Sequence, residues 1–282
     1  MSNQYRPGGF ANLPPVVKNL LIINVLFFVG TYLVGSTTGK DLTDILGLRY
    51  PLGSAFRPFQ FVTYMFMHGS LSHLFFNMFA LWMFGRILEN VWGSKRFLIY
   101  YMVCGIGAAL THYLVAFFEI NPVIQSMDAF LEQPNLQNLS AFIGSHKFHL
   151  NENSGILWDH FLLFQNQANA LTIDPQNHAA LQESVRFIEE YRAHFLNLPN
   201  VVGASGAVFG LLLAFGMLFP NSEILIYFLF PLKAKWFVVI YGAIELIAGF
   251  ADSTSNVAHF AHLGGMIFGY LLIRYWRTQK IY

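Results

Sequence analysis

The chain has 282 residues, of which 55% are hydrophobic, 17% aromatic and 11% charged, with a net charge of +1 at pH 7. Soluble domains carry roughly 25% charged residues, so this balance excludes an ordinary water-soluble domain. The near-neutral charge excludes a polyanion binder and leaves no expectation of a nucleic-acid partner, and a single Cys, Cys104, excludes an intrachain disulfide.

A membrane-crossing helix needs about 20 mostly apolar residues. Six such runs are expected, at about Leu20–Val34, Leu71–Leu88, Phe97–Phe118, Val201–Phe219, Trp236–Phe250 and Val257–Trp276. Met1 to Pro15 reads as a short polar tail and lacks a signal-peptide cleavage signature. Lys and Arg in short loops mark the cytoplasmic side. Arg6, Lys18, Arg86, Lys95, Arg96, Lys233, Lys235, Arg274, Arg277 and Lys280 fall on one side of a six-span arrangement. Only Lys40, Arg49, Arg57, Lys147, Arg186 and Arg192 fall on the other, which predicts both termini in the cytoplasm.

The stretch from about Glu119 to Asn200 interrupts this pattern and holds nine of the fifteen acidic residues. It is expected in water outside the membrane, with one amphipathic helix over His178–Leu196, where Ala180, Leu181, Val185, Ile188 and Tyr191 or Phe195 recur at helical spacing. His146 and His149 lack a nearby Cys or carboxylate and read as solvated loop residues rather than metal ligands. Ile224–Phe230 is expected to run along the interface, and Trp82, Trp92, Trp236 and Trp276 read as interfacial anchors or lipid-facing bulk.

Polar groups within a bilayer are costly and mark function, and three clusters stand out. Gly203-Ala204-Ser205-Gly206 opens the fourth run; taken alone, a Ser there is a helix cap. Ala261-His262-Leu263-Gly264-Gly265 lies early in the sixth. Gly206 and Gly210, and Gly265 and Gly269, are each four apart and give each helix a small face, which would let Ser205 and His262 meet. His68, His73 and Asn77 lie at the start of the second run. A spacing of four puts His73 and Asn77 on one helix face, where they can donate to an oxyanion; a bond to a nearby loop is the bland alternative. Cys104 and His112 read as packing residues, and Glu245 as a carboxylate that must be protonated or paired, with a proton-relay role as the alternative.

These motifs resemble the rhomboid family of intramembrane serine proteases. Gly203–Gly206 is similar to the family's Gly-x-Ser-Gly, Ala261–Gly265 to its Ala-His-x-x-Gly, and His73 with Asn77 to its His-x-x-x-Asn. His68 resembles a histidine of the preceding loop, and Glu89 with Gly93 the Glu-x-x-x-Gly after the second span. Phe59-Gln60 stands where many relatives carry Trp-Arg.

The resemblance implies an all-α polytopic membrane protein, a six-transmembrane-helix rhomboid-like bundle with a long extracytoplasmic insert between helices 3 and 4. The expected divisions are a cytoplasmic tail over 1–15, helices 1–3 over 16–118, the insert over 119–200, helices 4–6 over 201–276 and a second cytoplasmic tail over 277–282. It further implies cleavage of transmembrane segments by a Ser-His dyad, with Ser205 as nucleophile and His262 as base, and His73, Asn77 and the Ser205 amide stabilising the oxyanion. Gly203, Gly206, Gly265, Gly269 and His68 would support the site. No carboxylate obviously orients His262, since Asp252 lies outside the run and Glu245 in the preceding one; His259 is the rival base. No cofactor or metal is expected, the partners are transmembrane substrates and membrane lipids, and the location is a prokaryotic inner membrane. The alternatives are a catalytically inactive rhomboid-like protein that binds transmembrane segments, and a transporter, against which stands the lack of an internal repeat.

Overall fold

A computed structural model describes residues 13–226, 230–251 and 256–278, which are mostly helical and form two compact units. One comprises residues to 48, 58–113 and from 200 onward; the other comprises 49–57 and 114–199. The long helices, in chain order, are α1 (Pro15–Thr38), α2 (Leu71–Trp92), α3 (Ser94–Glu132), α4 (Leu136–Ser145), α5 (Ile156–Ile173), α6 (His178–Asn197), α7 (Ser205–Leu218), α8 (Ala234–Ala251) and α9 (Asn256–Thr278). Helices α1, α2 and α3 are long and apolar enough to cross a membrane, and α7 is apolar but shorter. Where an interfacial run was expected, strands β1 (Glu223–Ile226) and β2 (Phe230–Lys233) pair antiparallel, with Glu223 opposite Lys233.

In the first unit α7 is the central helix. Ten of its residues, from Gly206 to Gly216, are buried, as expected of a helix apolar on every side. By contrast α1 exposes Val25, Leu26, Val29, Tyr32 and Leu33, a surface suited to lipid. Trp92 and Trp276 are not interfacial anchors: both are buried, with ring centroids 5.6 Å apart, because α2 and α9 end beside each other and beside Tyr100. Gln60 of the Phe59-Gln60 pair is buried and donates to the Ile45 carbonyl at 3.0 Å.

Helix α1 begins at Pro14-Pro15 with no side-chain cap of its own. The buried carboxylate of Glu89 supplies one: its oxygens accept from the amides of Val16 at 2.9 Å and Val17 at 2.8 Å, and from Ser94 Oγ at 2.7 Å. A helix N-terminus attracts negative charge and presents unpaired donors, so Glu89→Ala strands three donors in a dry site. Each such loss costs about 1–3 kcal/mol, and a thermal melt in detergent should show a destabilisation of roughly 3 kcal/mol or more, while Glu89→Gln retains part of the stability.

The polar stretch holds more helix than its hydropathy indicates. Helix α3 does not stop at Phe118 but continues through Pro122 to Glu132, and α4, α5 and α6 follow. They enclose an aromatic cluster in which Phe148 lies 4.8–5.8 Å from the rings of Phe142, His146, Phe161, Phe164, Phe187 and Tyr191. Arg192 pairs with Asp128 at 2.7 Å, and the Asn197 side chain accepts from the Ala55 amide at 2.9 Å.

His146 is therefore not a solvated loop residue; it stacks on Phe142, and its Nε2 meets Tyr191 Oη at 2.8 Å. Burial, with His149 beside it, pushes its pKa down to about 4, against a free value of 6.5. As pH falls the unfolded chain takes up this proton before the folded one, so the contribution is intact above about 6.5 and is lost towards 4. Hydrogen-exchange protection factors at 178–197, corrected for the intrinsic pH dependence of amide exchange, should fall between pH 7 and pH 4.5, and less steeply in His146→Gln; equal slopes would discard this role.

Candidate active site

The polar clusters expected from the sequence converge in the first unit. Ser70 caps α2, its Oγ accepting from the His73 amide at 3.1 Å, and so fixes His73 on the first turn. Asn77 follows one turn on, with its Nδ2 donating to the His73 carbonyl at 2.9 Å. The His68 ring is buried and its centroid lies 5.0 Å from that of His73.

Gly203 carries a φ of 129°, a backbone conformation that side chains disfavour. A Cβ there would lie 2.8 Å from Cε1 and Nε2 of His73, so this glycine lets the imidazole edge reach the start of α7. Ser205 is the first residue of α7. Its Oγ lies 2.8 Å from Nε2 of His262 on α9.

Close approach of α7 and α9 makes that distance possible. A Cβ on Gly265 would fall on the backbone carbonyl of Gly206, and one on Gly210 would lie 3.2 Å from the Gly265 carbonyl. Gly269 departs from the expectation: it faces Tyr100 and Cys104 of α3 instead of α7, because α9 packs on both helices. Cys104 is buried between Gly210 and Gly269 as a packing residue.

Two features escaped the sequence reading. Phe209, one turn after Ser205, stacks on His262 with centroids 4.4 Å apart and planes within 6°, and Tyr241 of α8 stacks on Phe209 at 5.4 Å. Their signal was the spacing of four that places Phe209 beneath Ser205 and aligns Phe237, Tyr241 and Glu245 on one face of α8. The second corrects the expectation that no carboxylate meets His262. Glu245, 8% exposed, places Oε2 3.0 Å from His262 Nδ1 and 2.7 Å from His259 Nδ1. Asp252 lies outside the described residues. His259 touches Glu245 rather than Ser205, so its position is not that of the base.

These groups border a cleft of about 490 Å³ lined by His73, Asn77, Ser205, Phe209, Glu245 and His262, with Phe76, Met83 and Phe237 among its apolar walls. Glu245, His259 and His262 are also a group whose atoms lie close enough to hold a metal ion. Their short hydrogen bonds already account for the convergence of these atoms.

A bundle of apolar helices with one polar cleft defines an integral membrane protein, and its sequence relatives specify which kind. The rhomboid domain matches residues 55–120 and 178–279, more than half of the chain, which therefore belongs to the rhomboid family. It is 36% identical over 86 residues to Rhomboid-like protein 15 of Arabidopsis thaliana, covering 30% of this chain and 21% of that protein. Over 107 residues it is 28% identical to Rhomboid protease GluP of Bacillus subtilis, covering 37% of this chain and 21% of GluP. A mitochondrial rhomboid protein of Schizosaccharomyces pombe is 31% identical over 90 residues, 29% of this chain and 23% of that protein. The matches thus span about a fifth of each relative's length.

Proposed function

We propose that this protein is an intramembrane serine endopeptidase that cleaves transmembrane segments of other membrane proteins. The observation that carries this reading is the 2.8 Å contact between His262 Nε2 and Ser205 Oγ at the edge of the cleft. His262 removes the Ser205 proton as Oγ attacks the scissile carbonyl, then delivers it to the departing amide nitrogen; water later reverses the sequence to release the acyl group. The oxyanion forms beside the α7 N-terminus, where the Ser205 amide, His73 and Asn77 are placed to donate to it and the helix dipole adds favourable potential.

The site's depth follows from the length of α7. Fourteen residues rise about 21 Å, less than the roughly 30 Å of hydrocarbon, so with the C-terminal end of α7 at the inner surface Ser205 lies below the outer one. Six spans, both termini in the cytoplasm and residues 119–200 outside complete the topology we propose. The basic-residue distribution supports it. The membrane we assign is a prokaryotic inner membrane, although relatives occur in plants and mitochondria as well as bacteria. Substrates are helices whose ends unwind readily at Gly or Pro, since an extended strand must present its carbonyl to Ser205.

The test is turnover of a tagged transmembrane reporter by purified protein in liposomes, with Ser205→Ala and His262→Ala as comparisons. Cleavage abolished in both supports the reading. Cleavage that survives Ser205→Ala removes the assigned nucleophile. A folded wild type that binds reporters without cutting any selects the inactive binding protein.

A further inference from the structure

Glu245 sits in an apolar helix, where an unpaired carboxylate is expensive, yet neither the Ser205 nucleophile nor the oxyanion donors require it. Its placement is specific: one oxygen, Oε2, meets Nδ1 of both His262 and His259 on α9, and the opposite nitrogen of His262 meets Ser205 Oγ. We propose that Glu245 is a positioning residue that converts the Ser205–His262 pair into a Ser–His–Glu relay, with His259 holding the carboxylate in place.

An ionised carboxylate only accepts hydrogen bonds, so each facing Nδ1 must carry the proton. For His262 this fixes the tautomer whose Nε2 has a free lone pair aimed at the Ser205 hydroxyl. A neutral imidazole protonated at Nε2 would instead donate to Oγ and could not act as base. The ring is then held on three sides: by Glu245 at Nδ1, by Ser205 at Nε2 and by Phe209 across its face. When Oγ bonds to the carbonyl carbon, the Ser205 proton moves to Nε2. The imidazolium faces the Glu245 charge until that proton leaves with the amine, and Glu245 itself takes up no proton.

His259 gives the carboxylate a second donor. With bonds to two consecutive turns of α9, Oε2 cannot swing away from His262 without breaking both. The same three groups could in principle ligate zinc. Zinc on Nδ1 of His262 would leave its proton on Nε2, the tautomer unable to accept from Ser205.

This inference rests on the protease reading, and its test separates the two. Turnover of the reporter is compared in wild type, Glu245→Gln and Glu245→Asp, each checked for an unchanged melting temperature. The ring nitrogens of His262 are read by 15N NMR, with His262→Ala used only for assignment. Glu245→Gln should lower kcat by up to roughly 10⁴-fold, the order of loss that follows removal of the orienting carboxylate in other serine proteases. KM should stay within about threefold, because the carboxylate's hydrogen bonds go to His262 and His259, and Glu245→Asp should recover part of the loss. Glu245→Gln turning over within about threefold of wild type overturns the proposal and leaves Ser205 and His262 standing. His262 protonated at Nε2 in wild type overturns it whether or not any reporter is cut. A wild type that cuts nothing but carries the proton on Nδ1 retains the positioning role and removes the protease reading. Activity lost on chelation and restored by zinc overturns the proposal by giving the three side chains to a metal.

Discussion

Replacing His262 with alanine is expected to lower kcat for the transmembrane reporter by roughly 10⁴–10⁶-fold, or about 5–8 kcal/mol of barrier. A serine hydroxyl is a poor nucleophile unless its proton is taken as the new bond forms, and His262 Nε2, 2.8 Å from Oγ, is placed to take it. His259 cannot substitute, because it directs Nδ1 at Glu245. Ser205→Ala should fall to the same floor, and the double variant should be no worse than either single one, since the two groups act as a unit. Residual turnover above about one per cent of wild type in His262→Ala, measured by reporter fluorescence in liposomes, would mean that another group serves as base.

Gly265→Ala is expected to be the most damaging single methyl in the molecule. The added carbon would fall on the Gly206 carbonyl, backbone against backbone, where no rotamer change relieves the contact. Overpacking a tight interface costs about 1–3 kcal/mol or more, and the relief available is to separate α7 from α9. That separation carries His262 away from Ser205, and a misplacement of about 1 Å costs on the order of 10²-fold in rate. A lower melting temperature in detergent and a matching loss of turnover should appear together. A variant that melts like wild type and still cleaves would show that the interface can relax.

Much of the site was legible because its parts are short local motifs. Ser205 with its glycines, His262 with its own, and His73 with Asn77 each announce themselves within five residues, and their helices bring them together. Glu245 was not legible as a partner. It lies 17 residues from His262 along the chain and in another helix, so only the packing of α8 on α9 reveals the contact. The end of α3 was missed for a different reason. Hydropathy reports where a chain suits lipid, not where a helix stops, and beyond Phe118 the helix continues with polar residues. The helices α4 and α5 were hidden in the same way: their core is built from scattered aromatics and His146, which a search for apolar runs passes over.

During synthesis the amides of Val16 and Val17 emerge long before the carboxylate that receives them, which lies 72 residues behind Val17. At roughly 5–20 residues per second the delay is about 4–14 s. Through that interval the first turn of α1 must find its partners in water, lipid headgroups or the insertion machinery, and its end becomes fixed only after α2 has been made and folded back beside it. Glu89 thereby works as a latch on assembly, closing the first helix only when the second has arrived.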